Sequence, residues 1–459
     1  MVSIDILPND VLLEIFDFYQ SEEVGSAPDD SCPCTNKAIE AWQTLVHVCQ
    51  RWRNIVFGSP SGLDLQLVCT TKTPARETLD VWPALPLCIR CDGEYQTESV
   101  DNINAVLERS DRVVDIKLDN IGRDLEKVLV AMLKPFPELT ELDLEAHRDD
   151  GLSRVEAMPV LPNSFLGGSA PSLEVLWLNG IPFPGVPNLL LSAPYLVDLH
   201  LRNIPHYGYF SPGAMLTALS TLTSLKYFWL EFDSSQMWSS QRPALPTHSV
   251  LPALTHFCFR GITGYLRDLV AHIDAPQLGC FSVLFYDQIE FGTPQLDQFI
   301  CRTPRLKALE NASVTYDRED EATRVSLWQP SFPEQDCISG SVLFDWEDCG
   351  DLYICEVPGL QDNLENRRWL ELLHPFTSVK NLYLSEELVT IIVPALQELV
   401  GGRTTEVLPI LQKIFLEGLQ PSGPVHEAIG QFISTQQLTS YPIAVTHWEK
   451  NKKVVKDDD

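Results

Sequence analysis

From Val113 onward one short phrase recurs along the chain: an apolar residue, two variable ones, an apolar residue, one variable, an apolar residue. It reads Val113, Ile116, Leu118; Leu139, Leu142, Leu144; Leu173, Leu176, Leu178; Leu196, Leu199, Leu201; Leu225, Phe228, Leu230; Leu254, Phe257, Phe259; and Leu278, Phe281, Val283. A partial Leu306, Leu309 continues it, and after a gap Val379, Leu382, Leu384 and Leu411, Ile414, Leu416 close the series. The steps between units up to Leu306 are 26, 34, 23, 29, 29, 24 and 28 residues. Proline stands two positions before the first apolar residue at Pro137, Pro171, Pro194, Pro252, Pro276 and Pro304. The last two apolar positions alternate with variable ones, as a strand with one buried face requires. Helix-like patches such as Met215–Leu219 and Leu296–Ile300 fill the intervals. A single strand–turn–helix unit cannot bury its own apolar strip, but a stack of them can.

A series with this spacing predicts an α/β fold, an irregular leucine-rich-repeat solenoid over residues 61–449 with parallel strands on the concave face and helices outside. Upstream of the series, Leu63, Leu65 and Leu67 alternate with polar residues, and Leu87, Cys88 and Ile89 make a short apolar run. Both read as strands. The phrase disappears from 312 to 371. There Asp317–Glu321 reads as a charged surface loop, while Val342–Trp346 and Leu352–Cys355 read as strands. Two readings stay open: degenerate repeats that keep the sheet continuous, or an inserted hairpin. Trp369–Leu373 and Val393–Leu399 look helical, and 450–459 reads as a charged, disordered tail.

In each unit the variable residue between the last two apolar positions falls on the face away from the core. Those residues are Asp143, Trp177, His200, Trp229, Cys258, Ser282, Tyr383 and Phe415. They are the candidate target-binding row on the concave face. Aromatic rings on an exposed row are costly unless a bound protein or loops of the same chain cover them, and buried aromatics are typical binding hot spots.

Ahead of the repeats lies a helical stretch. Val11 with Ile15, and Leu12 with Phe16, sit four residues apart; a second run carries Trp42, Leu45, Cys49, Trp52 and Val56, and Gly58, Ser59 and Pro60 stop it. Two short helices carry more apolar surface than they can bury between them, so a partner chain is expected to cover part of it. The pattern from Leu7 and Pro8 to Ile15 and Phe16, followed by Leu45, Val48, Cys49, Trp52 and Arg53, resembles the F-box. The resemblance implies an all-helical module over 4–60 that docks on the Skp-type adaptor, and through it on the cullin, of an SCF ubiquitin ligase. It carries over Leu7, Pro8, Ile15, Phe16, Leu45, Val48, Cys49 and Trp52 as adaptor contacts. The polar stretch 20–38 lengthens the join between the helices beyond what that family usually has, and reads as a flexible loop. The segments Leu63–Cys69, Leu79–Leu87 and Trp369–Leu373, with Leu382–Glu387, are similar to a large group of F-box proteins from mushroom-forming fungi.

Composition narrows the function. Sixty-three acidic against 33 basic residues give a net charge of -30, a field that repels nucleic acid. No run reaches ~18 uninterrupted apolar residues, so no membrane span is expected, and the amino terminus has no signal-peptide pattern. The expected compartment is cytoplasm or nucleus. Of 12 cysteines only Cys32 with Cys34, and Cys88 with Cys91, are close pairs. Their separation does not suit a four-cysteine zinc site, and reduced structural thiols are expected. No cysteine–histidine spacing suggests an activated nucleophile, Gly167-Gly168 and Gly401-Gly402 lack the context of a phosphate loop, and the ten histidines form no ligand set. The expectation is a receptor subunit with no catalytic residues, metal or cofactor of its own, holding an unidentified protein target. The alternative is a scaffold or regulator that marks nothing for destruction.

Overall fold

The computed structural model describes residues 7–21, 42–58, 63, 65–70, 74–91, 97–119, 125–146, 159–233, 248–285, 294–308, 311–317, 322–328, 352–356, 379–384, 410–417 and 444–448. Most of the 20–38 loop, the segments 342–346, 369–373 and 393–399, and the 450–459 tail lie outside them. The protein is α/β, and it divides into two compact units, Met1–Val175 and Leu176–Asp459.

The first unit opens with three helices: α1 (Asn9–Ser21), α2 (42–48) and α3 (Gln50–Gly58). The apolar run read as one helix from Trp42 to Val56 is broken at Cys49. The thiol of Cys49 accepts the Trp52 N–H at 3.4 Å and so takes the place of a side-chain cap at the start of α3. Leu12 and Phe16 of α1 are fully buried, and the Phe16 ring lies 4.7 Å from Trp52. Arg51 donates to the Leu7 carbonyl and to Asn9 Oδ1, tying the start of α1 to α3.

Helix α4 (Ala75–Val81) follows the first strand, and Trp82 at its end meets Trp42 edge-on at 5.1 Å and Phe57 at 6.2 Å. The helical segment is therefore joined to the strands by an aromatic cluster, and it belongs to the same unit as they do. The strands are β1 (Leu67–Cys69), β2 (Leu87–Cys91), β3 (Val113–Leu118) and β4 (Glu141–Glu145), all parallel and in chain order. Helices α4, α5 (Thr97–Leu107) and α6 (Leu125–Ala131) make the crossovers. Ile116 pairs with Leu142 and Leu118 with Leu144, so the apolar phrase stacks position on position. Two units precede Val113: β1 and β2 pair in the same way without carrying the full phrase.

The second unit takes β5 (Val175–Asn179), β6 (Asp198–Ile204), β7 (Tyr227–Phe232), a short β8 (Ser249–Val250), β9 (His256–Gly261), β10 (Ile273–Asp274) and β11 (Cys280–Phe285). Its helices are α7 (Val186–Leu190), α8 (Pro212–Leu219), α9 (Thr263–Val270), α10 (Pro294–Arg302) and α11 (Pro304–Lys307). The sheet runs β5-β6-β7-β9-β11, with β6 to β11 in parallel register, while β8 and β10 pair apart. Beneath it Phe228, Phe257 and Phe281 form a buried column at 5.0 and 5.3 Å, and Phe299 of α10 closes it at 5.4 Å.

One turn builds the entries to β6, β7, β9 and β11. The N–H of Leu196, Leu225, Leu254 and Leu278 donates to the carbonyl three residues earlier, at 3.1 to 3.3 Å. Leu139 and Leu173 do the same in the first unit. Proline, whose fixed φ suits the second position of a type I turn, holds that position in all of these turns except the one before Leu225. The leucine that ends each turn is buried.

The motif-poor region resolves the two open readings in part. Strands β12 (Asn311–Asp317), β13 (Ala322–Trp328) and β14 (Leu352–Glu356) form an antiparallel meander, placed in the order β11-β14-β13-β12-β15 with β15 at Asn381–Leu384. The sheet stays continuous, as degenerate repeats would keep it, but its middle is antiparallel, as an insertion would make it. β14 is parallel to β11, β12 is parallel to β15, and β16 (Lys413–Glu417) and β17 (Ala444–Trp448) extend the parallel pairing. Ala312 and Val314 stand level with Leu382 and Leu384. The partial unit at Leu306 is thus shifted by three residues, and Leu306 itself is a buried residue of α11.

The Phe column should carry much of the second unit's stability. Phe257→Ala is expected to cost about 3–5 kcal/mol, as for other buried phenylalanines. The exposed Tyr195→Ala should stay within about 0.5 kcal/mol, both read by denaturant titration of the full chain.

Candidate protein-binding surfaces

On the helical segment, α1 buries Leu12 and Phe16 and turns another stripe outward. Val11, Ile15 and Phe18 are 38, 41 and 62% exposed, and Val48 at the end of α2 is 55% exposed. Positions 11, 15 and 18 lie one and two turns apart, so they share one face of the helix. The eight expected adaptor contacts therefore separate. Ile15, Val48 and Pro8 are exposed, and Leu7, Cys49 and Trp52 are half-buried. Phe16 and Leu45 are buried inside the segment and are corrected to packing residues. Val11 and Phe18, which are not among those eight, share the exposed face of α1 with Ile15.

The residues of the expected target-binding row do stand level with one another. His200 pairs with Trp229, Trp229 with Cys258, and Cys258 with Ser282; farther along, Tyr383 pairs with Phe415. Trp177 stacks on His200 at 4.4 Å, His200 lies 5.7 Å from Trp229, and Tyr383 stacks on Phe415 at 4.3 Å. The Asp143 carboxylate faces Lys117 at 3.8 Å in the first unit.

The expectation of an exposed row is corrected. His200, Trp229, Cys258 and Tyr383 are buried, and Asp143, Trp177, Ser282 and Phe415 are half-buried. Parallel strands lie about 4.8 Å apart, so large cross-strand neighbours press flat against each other and hide their faces. Over Trp229 a second layer closes: the guanidinium carbons of Arg202 and Arg260 lie 4.6 and 5.3 Å from its ring centre. The indole N–H donates to Glu231 Oε2 at 3.0 Å, and both arginines are 3.6 Å from the same buried carboxylate. On the neighbouring row Tyr227 stacks on His256 at 4.7 Å, and burial lowers the His256 pKa against the pull of Asp198. The Nε1 of Trp177 is buried with no hydrogen-bond partner.

In the first unit the same face carries alternating charge. Arg90 is ion-paired to Asp115, and burial nevertheless raises that carboxyl to about 6. Asp143 is likewise raised to about 6, first by burial, with Lys117 opposing and Asp119 and Glu145 adding to it. Burial also pushes the Cys69 and Cys88 thiols up, to about 11 and about 12, which leaves them protonated and weakly nucleophilic. Among the described residues no three His, Cys, Asp or Glu side chains are grouped to hold a metal ion, and no helix is long and apolar enough to cross a membrane.

No protein-family model and no curated protein matches the chain.

Trp229→Ser is expected to lower the melting temperature strongly, because it removes a buried ring and strips Glu231 of a donor. Trp177→Ser, at a half-buried ring whose N–H has no partner to orphan, should lower it less, and thermal melts of the two chains compare them directly. Asp143 gives a pH signature. Unfolding frees its carboxyl to ionise near 3.8. Between about pH 4 and 6 the unfolded chain then releases a proton that the folded chain holds, and stability falls as pH rises. Asp143→Asn should therefore gain on the wild type by about 1–3 kcal/mol from pH 4 to pH 7. A gap in melting temperature that stays constant across that range would show Lys117 keeping the carboxylate ionised.

Proposed function

We propose that this chain is the target-recognising subunit of an SCF-type ubiquitin ligase. In this reading its amino-terminal helices are an F-box module docked on a Skp-type adaptor, and the strand–helix units form an irregular leucine-rich-repeat domain that holds a protein to be ubiquitinated. The observation that carries the reading is the stripe of Val11, Ile15 and Phe18 on α1, exposed on the same short segment that bears the F-box-like pattern. Apolar residues of this size, aligned on one helix face, are what a helix-in-groove interface buries. The parallel units supply the second half. Their apolar phrase packs against helices, while the opposite face carries aromatic and charged side chains at strand spacing, a surface suited to protein recognition. Ubiquitin itself would be delivered by an enzyme elsewhere in the assembly, and this subunit would act by proximity, raising the effective concentration of the target beside it. The reading puts the protein in the cytoplasm or the nucleus.

Ile15→Asp tests the docking half cleanly, since Ile15 is exposed and its replacement leaves the Phe16–Trp52 contact intact. A carboxylate buried without a partner costs several kcal/mol. The variant should lose recombinant adaptor by about a hundredfold or more in a direct binding titration, with an unchanged melting temperature. Full retention of the adaptor would rule out the F-box reading. If adaptor and cullin co-purify with the wild type but no protein accumulates when the chain is removed from its cell, the chain is a scaffold rather than a degradation receptor.

A further inference from the structure

Asn179 is the one asparagine of the chain that is followed by glycine. An asparagine before glycine is the pair in which a side chain most readily attacks its own backbone, because the next residue has no Cβ to bar the approach. Asn179 ends β5, two residues after Trp177 and so on the same face of the strand. Two hydrogen bonds hold the groups that would react. The Gly180 N–H donates to the Arg202 carbonyl at 2.9 Å. The Asn179 Oδ1 accepts from Asn203 Nδ2 at 2.7 Å, one of the contacts that Asn179 makes. Asn203 reaches it from a left-handed backbone, φ 49, a region that asparagine tolerates better than most residues. It stands where the β6 ladder shifts register, between Leu201 and Ile204. Gly180 is left-handed too, at φ 72. A bulge, a left-handed asparagine and a left-handed glycine thus converge on one corner and on one reactive pair.

We infer that Asn179–Gly180 is a self-modification site, and that Asn203 is a latch that slows its reaction in the folded chain. The inference goes beyond the receptor reading and holds or fails without it. In the reaction the Gly180 amide nitrogen gives its proton to water and attacks Cγ of Asn179. The new N–C bond closes a five-membered succinimide, and the side-chain nitrogen takes up a proton and leaves as ammonia. Water then opens the ring at one of its two carbonyls and yields aspartate or isoaspartate; no other reactant enters. With the Gly180 N–H on Arg202 and the carboxamide on Asn203, the reaction waits for a local opening of the corner. The two products differ in consequence. Aspartate leaves the backbone unchanged and keeps an oxygen for Asn203 Nδ2. Isoaspartate puts an extra methylene into the main chain just ahead of the Gly180 N–H, and loosens the corner beside the Trp177–His200 stack.

Ageing the full chain in warm, mildly alkaline buffer and mapping its peptides by mass spectrometry reads this out. A synthetic peptide of residues 176–182 serves as the unlatched reference. The wild type should convert at Asn179, more slowly than the peptide does. Asn203→Gly keeps the left-handed backbone and removes only the side-chain amide. It should speed conversion by about two- to tenfold, the factor that losing one net hydrogen bond allows. Conversion at Asn163–Ser164, which lies in the first unit, should keep its wild-type rate in that variant, which separates a released latch from general unfolding. Asn179→Asp should melt like the fresh wild type and stay so during ageing, whereas the aged wild type should gain a less stable fraction that carries isoaspartate. The comparison of wild type with peptide stands even if a variant fails to fold. Conversion in the wild type as fast as in the peptide, or none while the peptide converts fully, would overturn the inference. So would equal rates in the wild type and folded Asn203→Gly, or an equal acceleration at Asn163.

Discussion

The contact on which the second unit depends is ring against ring beneath the sheet. Phe228, Phe257 and Phe281 occupy the same position of successive units, and the parallel register that aligns their backbones is what brings their rings to about 5 Å. No unit could bury its own phenylalanine; each is covered by the unit before it, the unit after it and the crossover helix. The recurrent turn serves this packing. By fixing where each strand begins, the buried leucine and the proline ahead of it keep the period-two side-chain alternation in step, and a slip of one residue would turn every ring to the other face.

That dependence explains what could be read from the sequence. The units from Val113 to Val283 are legible because position, turn and alternation all repeat, and neighbouring strands confirm them pair by pair. The two strands before Val113 carry only fragments of the phrase, so they read as isolated strands rather than as the first units of the sheet. Antiparallel β13 breaks the pattern altogether, since a strand entered from the opposite end shows none of the turn chemistry that marks the others. Leu306 misleads for a local reason: it has the proline and the spacing, but it closes a helical turn three residues too early.

Coverage is harder to read than orientation. Periodicity told that Trp229 points away from the phenylalanine column, and it does; it could not tell that Arg202 and Arg260, on strands 29 residues or so away in the chain, would fold over the ring. The same limit applies to α1. Both Ile15 and Phe16 are apolar, and only the position of Trp52 on α3 decides that Phe16 is inside and Ile15 is not. Burial is a property of neighbours that lie far apart in sequence, and the neighbours are where single-chain patterns run out.

The antiparallel meander has a consequence of parity. Between β11 and β15 the sheet changes direction twice, at β14 to β13 and at β13 to β12, and two reversals cancel. β15 therefore points the same way as β11, and the units beyond it resume with the same hand of crossover available to them. A single reversal would have inverted everything downstream and exchanged the two ends of each later unit. An even count of reversals lets a foreign stretch be spliced into a one-way stack while the remainder of the stack keeps its heading.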